Sequence, residues 1–257
     1  MVEITQIKSG NAVLAAEIAG AGDPVILLHA AVADRRMWRD TAARLAATHR
    51  TIAYDRRGFG ETTAPVEDFS STDDLAALID AQAGGRKPVL VGCSQGGRVV
   101  IDAALRFPER LRGIVLIAPS VTGGPDPVYP PEIAPLMAIQ PAGIGLKARL
   151  WLDGALSAEN RVDGAARATF FAMNETIRAA GKDIDVVPNY ERLAEIALPT
   201  LVLCGDLDFP HIQSRCRHLA ATIPGAKLKM LPGLGHLPSL EAPDAVAGLL
   251  AEFHAAR

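Results

Sequence analysis

Ser94 stands in Gly92-Cys93-Ser94-Gln95-Gly96, with Gly97 directly after, between an apolar run (Val89 to Val91) and a helix-forming segment (Arg98 to Phe107). A Gly-x-Ser-x-Gly sequence in a strand–turn–helix context pushes a serine hydroxyl out of a sharp turn at the top of a sheet. The pattern predicts a strained backbone at Ser94, with flanking glycines removing side chains that would collide as strand and helix close. With 23 Gly and 8 Ser in the chain, about 0.06 chance matches are expected, so the placement carries more weight than the motif alone.

A serine hydroxyl is a weak nucleophile and needs an adjacent base. Of the six histidines, His236 lies in the loop Pro232-Gly233-Leu234-Gly235-His236-Leu237, after the last apolar run and before the final helical segment. His49, His218 and His254 fall on polar helix faces or ends, where solvated histidines are common. His29 ends an apolar run, and His211 reads as a border of the pocket. An orienting acid is expected at the carboxyl end of a strand, where ligands bind in open α/β sheets. Cys204-Gly205-Asp206-Leu207-Asp208-Phe209-Pro210 supplies two aspartates there. Asp208 is preferred; Asp206 suits bonding to backbone N–H groups and shaping the turn. Serine, histidine and aspartate in these roles would perform acyl transfer.

These residues require a sheet to hold them. Pro24 to His29, Thr51 to Tyr54, Pro88 to Gly92, Gly113 to Ala118, Pro199 to Gly205 and Lys227 to Leu231 read as buried strands, being continuous apolar runs. Helices are predicted over Met37 to Ala47, Ser71 to Ala83, Gln95 to Phe107, His211 to Ile223 and Ala242 to Ala255. The alternation implies an α/β fold with a mostly parallel, doubly wound sheet. Val2 to Ile7 and Ala12 to Ile18 read as an antiparallel hairpin leading into it. Val121 to Glu195 interrupts the rhythm, opening with Gly123, Gly124, Pro125 and Pro127 and turning mostly helical. An insertion this long is better read as a lid than as a loop. The expected division is a core of residues 1–120 and 196–257, with a helical cap over 121–195.

The composition excludes several classes. The chain has 257 residues, 49% hydrophobic and 21% charged, which suits a globular domain and not a disordered one. A formal charge of -3 without a basic stripe argues against nucleic acid as a partner. Cys93, Cys204 and Cys216 have no metal-type spacing, and two of them sit in apolar runs as small hydrophobes. No signal peptide is visible in the first twenty residues, and no apolar stretch is long enough to span a bilayer. A cytoplasmic protein without a membrane partner is expected.

The chain resembles the α/β-hydrolase family over nearly its full length outside the cap. The order Ser, Asp, His is that family's order. Leu27-Leu28-His29-Ala30-Ala31, followed by Trp38, resembles its His-Gly oxyanion segment, and Asp55-Arg56-Arg57-Gly58-Phe59-Gly60 resembles its Asp-x-Arg-Gly-x-Gly loop. Gly235-His236-Leu237-Pro238 with Glu241-Ala242-Pro243 resembles its histidine segment. The resemblance implies an oxyanion hole of the Ala31 and Gln95 N–H groups and chemistry without metal or organic cofactor. Ala30 stands where the family commonly has glycine, and alanine resists positive φ, so a different backbone path is expected there. Small lidded members, such as esterases, enol-lactonases and cofactor-free haloperoxidases, are the nearest in character. They imply a small, largely apolar ester or lactone substrate. Serine at the elbow argues against the family's dehalogenases and epoxide hydrolases, which use aspartate there. The alternatives are carbon–carbon bond hydrolysis or hydroxynitrile-lyase chemistry with the same three residues, or ligand binding without turnover. His29, Trp151, Phe170, Phe171 and Met173 are candidate pocket residues, although packing of the cap onto the core explains any single one more simply. Arg149, Arg161 and Arg167 would suit a substrate carboxylate, or simply solvated helix faces. Either a monomer or a homodimer fits.

Overall fold

A computed structural model describes residues 2–129, 131, 162–185 and 188–256. Eight strands form one sheet in the order β1-β2-β4-β3-β5-β6-β7-β8. They are β1 (Val2–Ser9), β2 (Ala12–Ala19), β3 (Pro24–Leu28), β4 (Arg50–Tyr54), β5 (Val89–Cys93), β6 (Gly113–Ile117), β7 (Thr200–Gly205) and β8 (Lys227–Leu231). β1 pairs antiparallel with β2, and β2 antiparallel with β4. Every remaining pairing is parallel. All residues of β3, β5 and β6 are buried, because layers on both faces cover a parallel sheet. The edge strand β8 instead alternates, with Lys227 and Lys229 exposed, and charge on an edge discourages pairing with another chain.

From β3 the chain moves outward to β4 and then crosses back to β5 on the other side of β3. That reversal is a topological switch point, and it opens a crevice at the carboxyl ends of β3 and β5. The helices are α1 (Arg39–Leu45), α2 (Ser71–Gln82), α3 (Gln95–Arg106), α4 (Gly164–Asn174), α5 (Pro210–Thr222), α6 (Pro238–Glu241) and α7 (Pro243–Ala255).

Two helices differ from the sequence expectation, each for a local reason. The segment predicted as Met37 to Ala47 divides into a 3-10 turn, Arg35–Trp38, and α1. The Asp34 side chain accepts the Arg36 N–H and starts the turn early. The segment predicted from Ala242 begins at Pro243, with Ala242 at φ -147°. A residue preceding proline is pushed out of the helical region, and proline itself suits the first helical position.

The connection from β6 to β7 contains α4 and a 3-10 turn at Tyr190–Glu195 among its described residues. Its returning part is tied to the core by buried charge. Asp183 accepts from the Ser71 hydroxyl at 2.6 Å, and Asp185 from the Thr72 N–H at 2.7 Å, both at the start of α2, where the helix dipole favours carboxylates. Arg98, just past the glycine pair of α3, bridges Asp183 and Asp102. The Asn189 side chain donates to Asp102 at 2.7 Å and accepts the Thr122 N–H at 3.0 Å. Burial raises the Asp102 carboxyl to about 6, opposed by Asn189 and Arg98. Among the described residues, no helix is long and apolar enough to cross a membrane.

Candidate active site

Ser94 joins β5 to α3 at φ 52°, ψ -116°. Only Ser94 and Ala118 have positive φ among the described non-glycine residues, and such a conformation persists where its surroundings over-determine it. Here they do. The Ser94 N–H donates to the Ile117 carbonyl at 2.9 Å, while its own carbonyl accepts from Gly97 at 2.9 Å and Ser120 at 2.8 Å. A Cβ on Gly92 would meet the Gly96 carbonyl oxygen at 2.5 Å, and one on Gly96 would meet the Leu28 carbonyl oxygen at 2.4 Å. The glycines thus let β5, α3 and the end of β3 approach backbone to backbone, leaving Ser94 half-buried at the sheet edge.

Asp208 and His236 come from the loops after β7 and β8. His236 Nδ1 lies 2.7 Å from Asp208 Oδ2, and Phe209 N–H donates to Asp208 Oδ1 at 2.7 Å. The carboxylate therefore places the imidazole proton on Nδ1 and the lone pair on Nε2. Both residues are buried. The two loops interlock through their backbones. Leu207 N–H donates to the Leu234 carbonyl at 3.0 Å, and Asp206 accepts the Gly233 N–H at 2.8 Å. A Cβ on Gly205 would meet the Leu234 and Gly235 carbonyl oxygens at 2.1 and 2.2 Å, so no side chain fits there. Cys93 Sγ lies 3.8 Å from the His236 carbonyl oxygen, bringing the histidine loop against the residue that precedes Ser94.

On the other flank, the loop after β3 carries Ala31. Ala30 adopts negative φ, so alanine serves there without strain. His29 is fully buried. Its Nδ1–H donates to the Ala30 carbonyl at 2.8 Å and its Nε2 accepts the Arg56 N–H at 3.1 Å. Both ring nitrogens are committed to backbone, and burial with nearby Arg56 holds the ring neutral, well below the ordinary histidine range. His29 was expected in the pocket wall; it offers no polar atom to a ligand and instead joins the β3 loop to the β4 loop. Asp55 completes that junction by accepting the Arg35 and Glu61 N–H groups, both at 2.8 Å, and pairing with the Arg35 guanidinium. The Ala31 and Gln95 N–H groups have no hydrogen-bond partner among the described residues.

Helix α4 packs on this loop. Phe170 and Met173, expected in the pocket, are fully buried in the core, and Phe171 is half-buried beside it. Met173 Sδ accepts the Asp34 N–H at 3.5 Å, and Asn174 Nδ2 donates to the Val32 carbonyl at 2.7 Å. Trp151, Arg149 and Arg161 lie outside the described residues. Arg167 packs over the Phe171 ring. His211 Nδ1–H donates to the Val128 carbonyl at 2.9 Å, and its ring stacks on Phe209, beside the acid loop. Sequence reasoning missed Asn174; an isolated polar residue at the end of an apolar helix was its one available signal. Among the described residues, no group of three or more His, Cys, Asp or Glu side chains is placed to hold a metal.

The switch-point crevice and the serine elbow belong to a recognised class. Residues 25–249 match the model of the alpha/beta hydrolase family, and the chain belongs to that family. It is 28% identical over 258 residues to 2-hydroxy-6-oxo-6-phenylhexa-2,4-dienoate hydrolase from Burkholderia cepacia, covering 91% of this chain and 88% of that one. Esterase RhEst1 from Rhodococcus sp. ECU1013 superposes with a TM-score of 0.83 at 25% identity, covering 98% of each chain. Est816, described as an N-acyl homoserine lactone degrading enzyme, superposes with a TM-score of 0.80 at 25% identity, over 97% of this chain and 100% of that one.

Proposed function

We propose that the protein is a serine hydrolase that cleaves a carboxylic ester or lactone through an acyl-enzyme on Ser94. The observation that carries this reading is the positive-φ elbow at Ser94, set at the same sheet edge as the 2.7 Å pair of His236 and Asp208. In the proposed reaction His236 Nε2 takes the Ser94 proton as the oxygen attacks the carbonyl, and Asp208 holds the imidazole tautomer and stabilises the imidazolium. The N–H groups of Ala31 and Gln95 receive the oxyanion, Gln95 reinforced by the positive end of the α3 dipole. Such a donor contributes about 2.7–4 kcal/mol in other serine hydrolases. The imidazolium then protonates the leaving alcohol, and water attacks the acyl-enzyme by the same route. The 121–195 connection acts as a lid over a small, largely apolar substrate.

The likeness to RhEst1 and Est816 supports ester and lactone substrates. The Burkholderia relative favours a second reading, in which the same residues cleave a carbon–carbon bond. Hydrolysis of p-nitrophenyl esters from acetyl to decanoyl, by wild type beside Ser94→Ala, tests the proposal. Turnover that falls at least about 10⁴-fold in the variant is expected. Equal slow rates in both proteins would overturn the ester reading and move the assay to dienoate substrates.

A further inference from the structure

We infer that Glu241 is a positioning residue for His236, acting on its backbone and not on its ring. The inference rests on the proposed role of His236 as base. Glu241 ends the short helix α6, and its carboxylate turns back onto the histidine loop. Gly235 N–H donates to Oε2 at 2.7 Å and Leu237 N–H donates to Oε1 at 3.0 Å. These N–H groups belong to the residues on either side of His236, so one carboxylate ties down the His236–Leu237 peptide and the Leu234–Gly235 peptide that leads into the histidine. The carbonyl of that same His236–Leu237 peptide faces Cys93 Sγ. Rotation of the His236 side chain is set in turn by Asp208.

A capping role alone does not account for this arrangement. Leu237 is the N-cap of α6, and the Glu241 bond to its N–H resembles the returning half of a capping box, made from the fourth helical position instead of the third. The bond to Gly235 lies two residues before the N-cap and does nothing for the helix. That bond instead holds the segment whose Leu234 and Gly235 carbonyl oxygens pack on Gly205 of the acid loop. Hydrogen bonds from N–H to carboxylate are charge-assisted, about twice as strong as neutral ones. The geometry therefore tunes the spacing of His236 from Asp208 on one side and Ser94 on the other.

Glu241→Gln and Glu241→Ala test the inference. The glutamine variant keeps the shape but turns an NH₂ donor toward one of the two amides, so it should act as a weaker version of alanine. Two readouts are needed: kcat and KM on the best p-nitrophenyl ester, and the low-field proton resonance of the His236 Nδ1–H bonded to Asp208. The expected result is a kcat about 10- to 100-fold lower in Glu241→Ala and intermediate in Glu241→Gln. KM should stay within about twofold, with the low-field resonance broadened or lost in both. An unchanged resonance in Glu241→Gln would overturn the inference, whatever happens to the melting temperature. If the wild type turns over no ester, the resonance still decides the matter, so failure of the proposed reaction and failure of this inference remain distinguishable. If Glu241→Ala does not fold, the near-isosteric glutamine variant gives the answer alone.

Discussion

The two flanks of Ser94 are held in different ways. On one side, the aspartate and histidine loops lock to each other within the core, through Leu207 to Leu234, Asp206 to Gly233 and the bare contact at Gly205. All of these come from the last two strands and their loops. On the other side, the loop carrying Ala31 is held from below by His29, Arg56 and Asp55, and from above by α4, which belongs to the β6–β7 connection. In the first flank the bonds that join the aspartate and histidine loops come from those loops themselves, and the connection borders them at Phe209 and His211 through Tyr129 and Val128. The second is shared, so the shape of the loop carrying Ala31 depends on where α4 sits. Two discrete packings of α4 would produce two shapes of that loop, because packed contacts shift in steps and not continuously.

The largest expected effect is on the first flank. Asp208→Asn retains size but offers Nδ1 a donor, which favours the tautomer with its proton on Nε2 and removes the basic lone pair that the proposed reaction uses. The kcat should fall about 10³- to 10⁴-fold, as for the same exchange in another serine hydrolase. Asp206→Asn is the control. Its side-chain oxygen still accepts the Gly233 N–H, and activity should stay within about threefold. Steady-state kinetics of the pair on one ester measures both. Similar losses in the two variants would mean that the corner acts as a shape, with no special role for Asp208.

The next effect tests the shared flank. Asn174→Ala removes the 2.7 Å bond to the Val32 carbonyl, one residue beyond Ala31. Losing a bond to a largely enclosed carbonyl costs about 1–2 kcal/mol. The loop that loses its tether also supplies the proposed oxyanion donor, so kcat should drop about tenfold with little change in KM. Kinetics and urea unfolding on the same preparation separate the two consequences. Lower stability with unchanged kcat would show that α4 packs on the oxyanion loop without tuning it, and the contrast between the flanks would dissolve.

Much of the first flank was legible in the sequence. Strand ends announce themselves as apolar runs followed by glycine, so Ser94, Asp208 and His236 could each be assigned to the carboxyl edge from a few neighbouring residues. The elbow glycines could be read the same way, since the closeness they permit is set by the turn itself. The second flank was legible as two family segments, Leu27 to Ala31 and Asp55 to Gly60, but the contacts that hold it from α4 were not. Asn174 and Val32 lie 142 residues apart, and Met173 and Asp34 lie 139 apart. No local pattern pairs an asparagine with a carbonyl at that distance. His29 misled for a related reason. A histidine at a strand end suggests a pocket, while its actual partners, the Ala30 carbonyl and the Arg56 N–H, are backbone groups that no residue identity reveals. The start of α1 and α7 was open to local reasoning from Asp34 and Pro243, and was missed only by extending the apolar periodicity too far.

The effect with the least bearing on turnover concerns how the connection is anchored. Asp102 is shielded from water beside Arg98, Asn189, Asp183 and Asp185, and its folded-state ionisation sits at about 6 against an ordinary 3.8. The folded protein therefore holds this proton more tightly than the unfolded chain, so stability must fall as pH rises between about 4 and about 6. The full shift corresponds to about 3 kcal/mol at most, since one pKa unit is about 1.4 kcal/mol. Asp102→Asn resembles the protonated carboxyl and abolishes the titration. The two proteins should differ little near pH 4, and the variant should gain about 1–3 kcal/mol relative to wild type by pH 7. Asp183, which Ser71 and Arg98 hold below the ordinary range against burial, titrates in the opposite sense in both proteins, so its contribution largely cancels in the difference. Urea unfolding of both proteins at several pH values measures this directly. A difference that does not change with pH would mean that Arg98 and Asn189 fully compensate the buried charge. In that case the anchor of the connection would be as rigid as the acid–histidine corner, and α4 would have no pH-dependent route by which to move the loop carrying Ala31.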